Sequence, residues 1–329
     1  MSTRARTAIA CFGEALIDFL AEPAIGDAPR RFIEHAGGAP ANVAIGVARL
    51  GGDARFVGML SQDMFGDTLL AQFARHGVDV AQVRRTAQAR TALAFVSLAP
   101  DGERSFNFYR PPAADLLFRV QDFVPSAFAS FAAFHACSNS LTEPGIAEAT
   151  LHGMRLATQA GALVSFDANL RPALWPAGAD PLPQVWQALE LAHVVKLSRD
   201  ELRAMTCHGG DDAVVERLFA GATQVVLVTD GASPIRWWTR ATSGTAPTLP
   251  VDAVDTTAAG DAFVAGLLQG LVERGIDRGG IAGAFDDETT RGGLLRQAAA
   301  CGALAATRLG AFAAMPARPD VQALMERCA

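Results

Sequence analysis

The chain has 329 residues, half of them hydrophobic, and a formal net charge of −6 at pH 7. That is ample for a large core, as one large domain or a domain plus a subdomain. The acidic balance and the lack of a basic block argue against nucleic acid or an anionic membrane as partner, and no apolar stretch approaches the ~20 residues needed to span a bilayer.

In chain order, Ala8–Ile17 reads as a buried strand. Glu14 and Asp18 interrupt the apolar run up to Leu20, so it does not read as a signal peptide. Pro40–Leu50 reads as a helix, with Gly37-Gly38 before it and Gly51-Gly52 closing it. Arg55–Leu60 has strand character and Asp67–His76 helical character. Thr91–Leu98 and Arg104–Tyr109 read as strands joined by a hairpin turn at Pro100-Asp101-Gly102. Strands at Ala132–Ala136, Ala162–Asp167, His193–Leu197 and Gln224–Thr229 then alternate with helices at Pro144–Gln159, Leu182–Leu191 and Asp212–Phe219. This alternation implies a mostly parallel sheet covered on both faces. Ile235–Thr239 and Thr248–Val251 suggest a late antiparallel hairpin. Helices follow at Ala262–Arg274, Leu294–Arg308 and Val321–Arg327, and the Gly- and Asp-rich segment Asp277–Gly293 reads as an exposed loop. The segments near 19–36 and 91–110 interrupt the alternation and are expected to pair outside the main sheet as a small β lid. No internal repeat or low-complexity tract is visible.

The five cysteines, Cys11, Cys137, Cys207, Cys301 and Cys328, are scattered without metal spacing and read as reduced residues of a cytosolic protein. Of the 28 basic residues only Lys196 is a lysine. An ammonium and a guanidinium differ in size and donor geometry, so Lys196 either occupies a place arginine would not fit or is a chance survivor of a coding bias.

The most informative run is Val254-Asp255-Thr256-Thr257-Ala258-Ala259-Gly260-Asp261-Ala262-Phe263. Small residues sit where a loop becomes a helix that is apolar almost all round, and therefore buried. The free N–H groups and dipole of a helix start favour an anion, and small residues let it approach the backbone. Asp261 is then a carboxylate beside an anion site, a pairing phosphoryl transfer needs; the other reading is an acidic residue that only complements the helix dipole. A second run, Gly37-Gly38-Ala39-Pro40-Ala41-Asn42, offers a close-approach loop followed by a side chain with one acceptor and two donor hydrogens, which suits sugar hydroxyls or a plain Gly-rich helix start. Asp18 ends the first strand, where ligands of open α/β sheets bind, and is either a polyol acceptor or a solvated loop carboxylate. P-loop and dinucleotide fingerprints are both missing.

Taken together, Gly37 to Ala44 with Leu50-Gly51-Gly52, and Asp255 to Asp261, resemble the N-terminal motif and the C-terminal D-T-x-G-A-G-D motif of the ribokinase-family (PfkB-type) carbohydrate kinases. Phe12-Gly13-Glu14-Ala15-Leu16-Ile17-Asp18 and Phe108 to Asp115 are similar, more narrowly, to bacterial fructokinases. The resemblance runs over roughly residues 8–320. It implies a single ribokinase-like α/β domain over 1–329: a doubly wound, mostly parallel sheet with helices on both faces, plus a β lid from about 19–36 and 91–112. It implies an ATP-dependent, cytoplasmic sugar kinase forming fructose 6-phosphate, using Mg²⁺ and K⁺, with a homodimer through the lid. Asp261 would be the base, and the Ala258, Ala259, Gly260 and Asp261 backbone the anion hole. Asp18, Gly37, Gly38 and Asn42 would hold the sugar, with Phe95, Phe108 and Arg110 closing over it. Asn169 and Lys196 would lie near the phosphates. Glu201 would influence Mg²⁺ indirectly, and Thr229 and Gly231 would border the nucleotide. Asp255 and the Thr257 carbonyl would hold a monovalent cation. Ala258 stands where the motif has glycine, which serves if its φ is negative; Ser198 replaces the Asn of the N-x-x-E element, and Ala299 stands where relatives often carry Asn near the adenine. The alternatives are a 2-keto-3-deoxygluconate kinase, with Arg110 pairing the substrate carboxylate, or another PfkB-type sugar kinase, and, from a different class, a catalytically inactive sugar sensor.

Overall fold

The computed structural model describes residues 6–22, 29–98, 104–206 and 210–328. Cys207, the Pro100-Asp101-Gly102 turn and part of the expected lid (23–28) lie outside them. The first half of the chain runs β1 (Ala8–Phe12), β2 (Leu16–Ala21), β3 (Phe32–Gly37), α1 (Ala39–Arg49), β4 (Asp53–Ser61), α2 (Met64–Arg75), β5 (Asp79–Thr86), β6 (Leu93–Leu98), β7 (Arg104–Tyr109), β8 (Phe131–Cys137) and α3 (Pro144–Ala160). The second half runs β9 (Leu163–Asp167), α4 (Leu182–Leu189), β10 (Val194–Ser198), α5 (Arg199–Met205), α6 (Gly210–Ala220), β11 (Val225–Asp230), β12 (Ser233–Trp238), β13 (Ser243–Ala246), α7 (Ala259–Glu273), α8 (Ile281–Asp286), α9 (Glu288–Ala306) and α10 (Arg318–Arg327).

Nine strands form the main sheet in the order β13-β12-β11-β10-β9-β8-β1-β4-β5, parallel from β11 to β5 and antiparallel at the β12–β13 edge. Its central strands are buried on both faces, because alternate side chains feed two cores. Ile9 and Cys11 of β1 pack with α1, α7 and α9, while Ala10 and Phe12 pack with Phe134, Phe166 and α3. Continuous apolar strands need such double cover. β2, β3, β6 and β7 form a separate four-stranded lid in the order β3-β2-β6-β7.

Several expectations need correction. The strand expected over Ala8–Ile17 is two strands. Gly13 (φ 145) turns the chain between them, and a Cβ there would lie 2.5 Å from Ser140 Oγ. The lid therefore begins at Leu16, inside the run read as core. Strand β5 and helix α5 were not anticipated. The hairpin partner of β12 is Ser243–Ala246 and not Thr248–Val251. The loop expected over 277–293 contains α8 and the first turns of α9, whose N-cap Asp287 accepts from Thr290 N–H at 2.8 Å. Asp277, Gly279 and Gly280 form the turn before α8 and Asp287 caps α9, while Gly283, Asp286, Gly292 and Gly293 lie within the helices. Cys11, Cys137 and Cys301 are buried, whereas Cys328 is exposed. Among the described residues no helix is long and apolar enough to cross a membrane.

Candidate active site

The carboxyl ends of β1, β8, β9, β10 and β11 lie along one edge of the main sheet, the edge at which open α/β sheets hold ligands. Two helix starts meet there. Asn42, in the first turns of α1, donates from Nδ2 to Asp261 Oδ2 at 2.8 Å, across 219 residues of sequence. Both side chains are buried, and Asn42 Oδ1 has no hydrogen-bond partner among the described residues. A buried acceptor left open is rare unless a ligand or water completes it.

Burial pushes the Asp261 carboxyl up to about 7; the Asn42 bond pulls it down, Asp167 raises it, and Lys196 and Arg171 lower it. A base poised near neutrality suits proton transfer. At the start of α7, Ala259 N–H bonds back to the Thr256 carbonyl at 3.2 Å. The N–H groups of Gly260 and Asp261 follow, among the first four of a helix that have no intrahelical acceptor. The helix begins at Ala259, with Ala258 as its N-cap. Ala258 has φ 58, so the negative φ on which alanine's replacement of glycine was conditioned is not found. A left-handed alanine costs about 1–2 kcal/mol, a strain held by the turn at the N-cap of α7.

The solitary lysine lies against this helix start. Lys196 Nζ donates to both carboxylate oxygens of Asp167, at 3.2 and 3.0 Å, and both side chains are buried. A Cβ on Gly260 would fall 2.9 Å from Nζ, so ammonium and backbone are in close approach. Burial alone would lower the Lys196 pKa, but Asp167, Glu201 and Asp261 outweigh it and hold the side chain charged. Glu201 accepts from Ser198 N–H at 2.6 Å and from Leu170 N–H at 2.7 Å, while Ser198 Oγ caps α5 in return. Ser198 thus does in a capping box what side-chain shape requires there, and the Glu201 carboxylate braces two loops. Asn169 follows β9 with φ 35, a conformation Asn tolerates, and its carbonyl accepts from Ser138 Oγ at 3.3 Å. Thr229 pairs with Ser198 at the end of β11, and Gly231 (φ 52) turns the chain just beyond.

On the lid, Asp18, Leu20 and Val96 face Asp255, Thr257 and Gly310 across a small cleft that is open to solvent. Gly37 makes room for the carboxylate, since a Cβ there would lie 2.4 Å from Asp18 Oδ2. Burial, with the charges of Asp255 and Asp261, pushes Asp18 up to about 7. Asp255 is buried and ties the turn together, accepting from Thr257 N–H at 2.7 Å and Gly310 N–H at 3.1 Å. Phe108 pairs with Ala94, and Ala94 with Asp18, so Phe108 falls on the pocket face. Phe95 pairs with Phe19 and therefore lies on the opposite face, where it stacks on Phe19 with centroids 5.1 Å apart. That placement corrects the expectation that Phe95 closes over the sugar. Arg110 is only 1% exposed and grips Asp115 Oδ2 through Nε (2.9 Å) and Nη2 (2.6 Å). It stands at the root of the lid with its fork already occupied.

Sequence reasoning missed Asp167, Arg171, Asn139 and Glu14. Asp167 could have been found as the acidic end of a buried strand two residues before Asn169. Glu14 lay inside a quoted motif, but nothing in the linear pattern says which way it points.

Comparison with known proteins agrees with this geometry. Residues 6–318 match the model of the pfkB family carbohydrate kinases. Probable fructokinase-4 of Arabidopsis thaliana is 41% identical over 325 residues, covering 98% of this chain and 97% of that one. The crystal structure of a fructokinase from Xylella fastidiosa with bound ATP superposes with a TM-score of 0.93 at 52% identity, covering 98% of each chain. That of a fructokinase from Vibrio cholerae O395 with fructose, ADP and calcium bound gives 0.84 at 29% identity, covering 98% and 100%. A ribokinase-like sheet, two helix starts joined through Asn42 and Asp261, and a family match over nearly the full length place this chain in the pfkB family of carbohydrate kinases.

Proposed function

We propose that this chain transfers the γ-phosphoryl group of ATP to D-fructose, giving fructose 6-phosphate. The observation that carries the reading is the Asn42–Asp261 pair: a carboxylate poised near neutrality beside a helix start, with an open amide oxygen next to it. Asp261 takes the proton from the attacking sugar hydroxyl. The N–H groups of Gly260 and Asp261 meet the charge of the transferring group, preorganised by the helix, and Lys196 adds a compact positive charge. Asp18, Gly38 and Asn42 orient the sugar, and Phe108 covers it. Ser198, Glu201, Thr229 and Gly231 shape the nucleotide side.

The fructose-bound and ATP-bound structures of the relatives support both substrates. The occupied fork of Arg110 favours an uncharged sugar over a ketodeoxy acid, whose carboxylate would need a free cation. Asp255, with the Thr257 carbonyl, would supply the oxygen donors for K⁺ that the motif implies, and the charges of Asp255 and Asp261 that act on Asp18 would give a cation something to balance. Bound there, K⁺ would stiffen the turn that sets the anion hole. Mg²⁺ keeps most of its waters and is held largely by substrate phosphates, so Glu201, committed to backbone, acts on it only indirectly. The outer lid face exposes Phe32 and Tyr109, which supports a homodimer through the lid.

The test is ADP release with ATP and Mg²⁺ over a panel of ketoses, aldoses and 2-keto-3-deoxygluconate, with KCl titrated at constant ionic strength. Fructose should give the highest kcat/KM and K⁺ should stimulate it. A clear preference for the acid overturns the sugar assignment, and a flat KCl response overturns the cation site.

A further inference from the structure

The chain crosses between the main sheet and the lid four times: at 13–15, at Gly38, at 87–92 and at 110–113. Glu14 occupies the first crossing and is 1% exposed. Its Oε1 accepts the N–H of Ala39 at 3.1 Å, at the second crossing, and Asn139 Nδ2 at 2.9 Å, in the turn after β8. Burial pushes the Glu14 carboxyl above its usual range, while the charge of Arg110, at the fourth crossing, and the Asn139 bond work against that rise. The first two crossings also touch through backbone, since a Cβ on Gly38 would lie 2.5 Å from the Glu14 carbonyl oxygen.

The bond to Ala39 has a particular meaning. Helix α1 begins at Ala39, and its N-cap, Gly38, has no side chain to satisfy the first N–H groups. Pro40 has no N–H at all. Gly38 cannot be exchanged for a capping residue, because it holds φ 108 in a place with no room for a Cβ. A carboxylate 25 residues away supplies the missing cap, at the positive end of the helix dipole. One turn into the same helix, Asn42 grips Asp261.

We propose that Glu14 is a positioning residue that caps helix α1 from the lid hinge and thereby sets Gly38 and Asn42 for the sugar. The proposal rests on the fructokinase reading for the identity of the sugar but not for the role of Glu14. The brace acts on the sugar side; the nucleotide side is built from β9, β10, β11 and α5. Removing it should therefore split the two substrates.

Glu14→Gln keeps the size of the side chain and removes the charge. It should raise KM for fructose about tenfold, as for the loss of a charge-assisted hydrogen bond, and leave KM for ATP within about twofold, a split that a loss of folded protein would not produce. Glu14→Asp, which keeps the charge but draws the carboxylate back from Ala39, should move the constants the same way and less, and it carries the test if the Gln variant does not fold. Constants for fructose and ATP that shift together, or a fall in Tm with both unchanged, would overturn the proposal. A wild-type enzyme inactive on fructose would instead overturn the sugar assignment, and the split would then be read on whichever sugar the wild type accepts.

Discussion

The starts of α1 and α7 solve the same problem in different ways. On the proposed reading each brings backbone close to a ligand, and each begins at a residue of positive φ just before the helix. At α1 that residue is Gly38 (φ 108), and a Cβ would strike the Glu14 carbonyl oxygen at 2.5 Å and the Ala15 Cα at 2.8 Å. At α7 it is Ala258 (φ 58), which carries its Cβ without being removed from the fold. The first position is forced by space, the second only by torsion. A left-handed conformation thus marks both starts, but only contact decides whether a side chain is tolerated.

The largest effect should come from the side chain the two starts share. Asp261→Asn should lower kcat by ~10²–10⁴-fold, because a general base is lost, with sugar binding changed far less. A variant keeping more than about a tenth of wild-type kcat, well above that expectation, would remove Asp261 from the role. Since the base must be ionised, wild-type kcat/KM should fall as pH drops below about 7. The stability sign is opposite. A carboxyl raised in the folded state favours folding at low pH, and that contribution disappears as pH rises through about 7. Asp261→Asn should therefore have a higher Tm than wild type at pH 8 and lose that advantage near pH 5; equal Tm values at pH 8 would speak against the raised pKa.

Gly38→Ala comes next. It meets both the torsion and the collision, so it should lose stability beyond the ~1–2 kcal/mol of torsion alone, and kcat/KM for the sugar should fall at least about tenfold as Asn42 moves off line. Near-native thermal unfolding and kinetics would show that the loop yields. Lys196→Arg keeps the charge but brings a guanidinium into a space bounded by Asp167 and the Gly260 backbone. A loss of roughly tenfold to a hundredfold in kcat, the scale of a charge-assisted bond, is expected; unchanged kcat and KM for ATP would assign the lone lysine to chance.

The smallest effect completes the contrast. Ala258→Gly relieves the torsion but loosens the unfolded chain, and the two differ by less than about 1 kcal/mol. Tm should stay the same or rise slightly, with activity retained. A large loss at Ala258 would mean that its methyl group has a contact role, and the two starts would be alike after all.

Much of this was legible in the linear pattern. The alternation of strands and helices, the two small-residue helix starts, Asp261, Asn42 and the exceptional lysine all rest on local signals: periodicity, helix-start chemistry and composition. What was misread had local cues that pointed elsewhere. Ala8–Ile17 is apolar on both sides of Gly13 and Glu14, so its composition does not separate a core strand from a lid strand; Gly13 does, through its neighbours. Of the Gly and Asp residues of 277–293, Gly280 and Asp287 are the N-caps of α8 and α9 and others lie within those helices, but all look like loop residues when their partners are unknown. Phe95 and Phe108 are both aromatic strand residues, and only register puts one over the pocket and the other behind it.

The sequence by itself determined the class of the fold, the family and the two helix-start segments that meet at the candidate site, because helix starts, strand periodicity and glycine spacing act over a few residues. Tertiary structure alone decided that Asn42 meets Asp261 across 219 residues, that Lys196 is neutralised by Asp167 under Gly260, that Arg110 is held by Asp115, and that Glu14 caps a helix it does not belong to. The physical reason is that a buried polar group must find a partner wherever the packed chain supplies one, and the choice of that partner is made by packing and not by distance along the sequence.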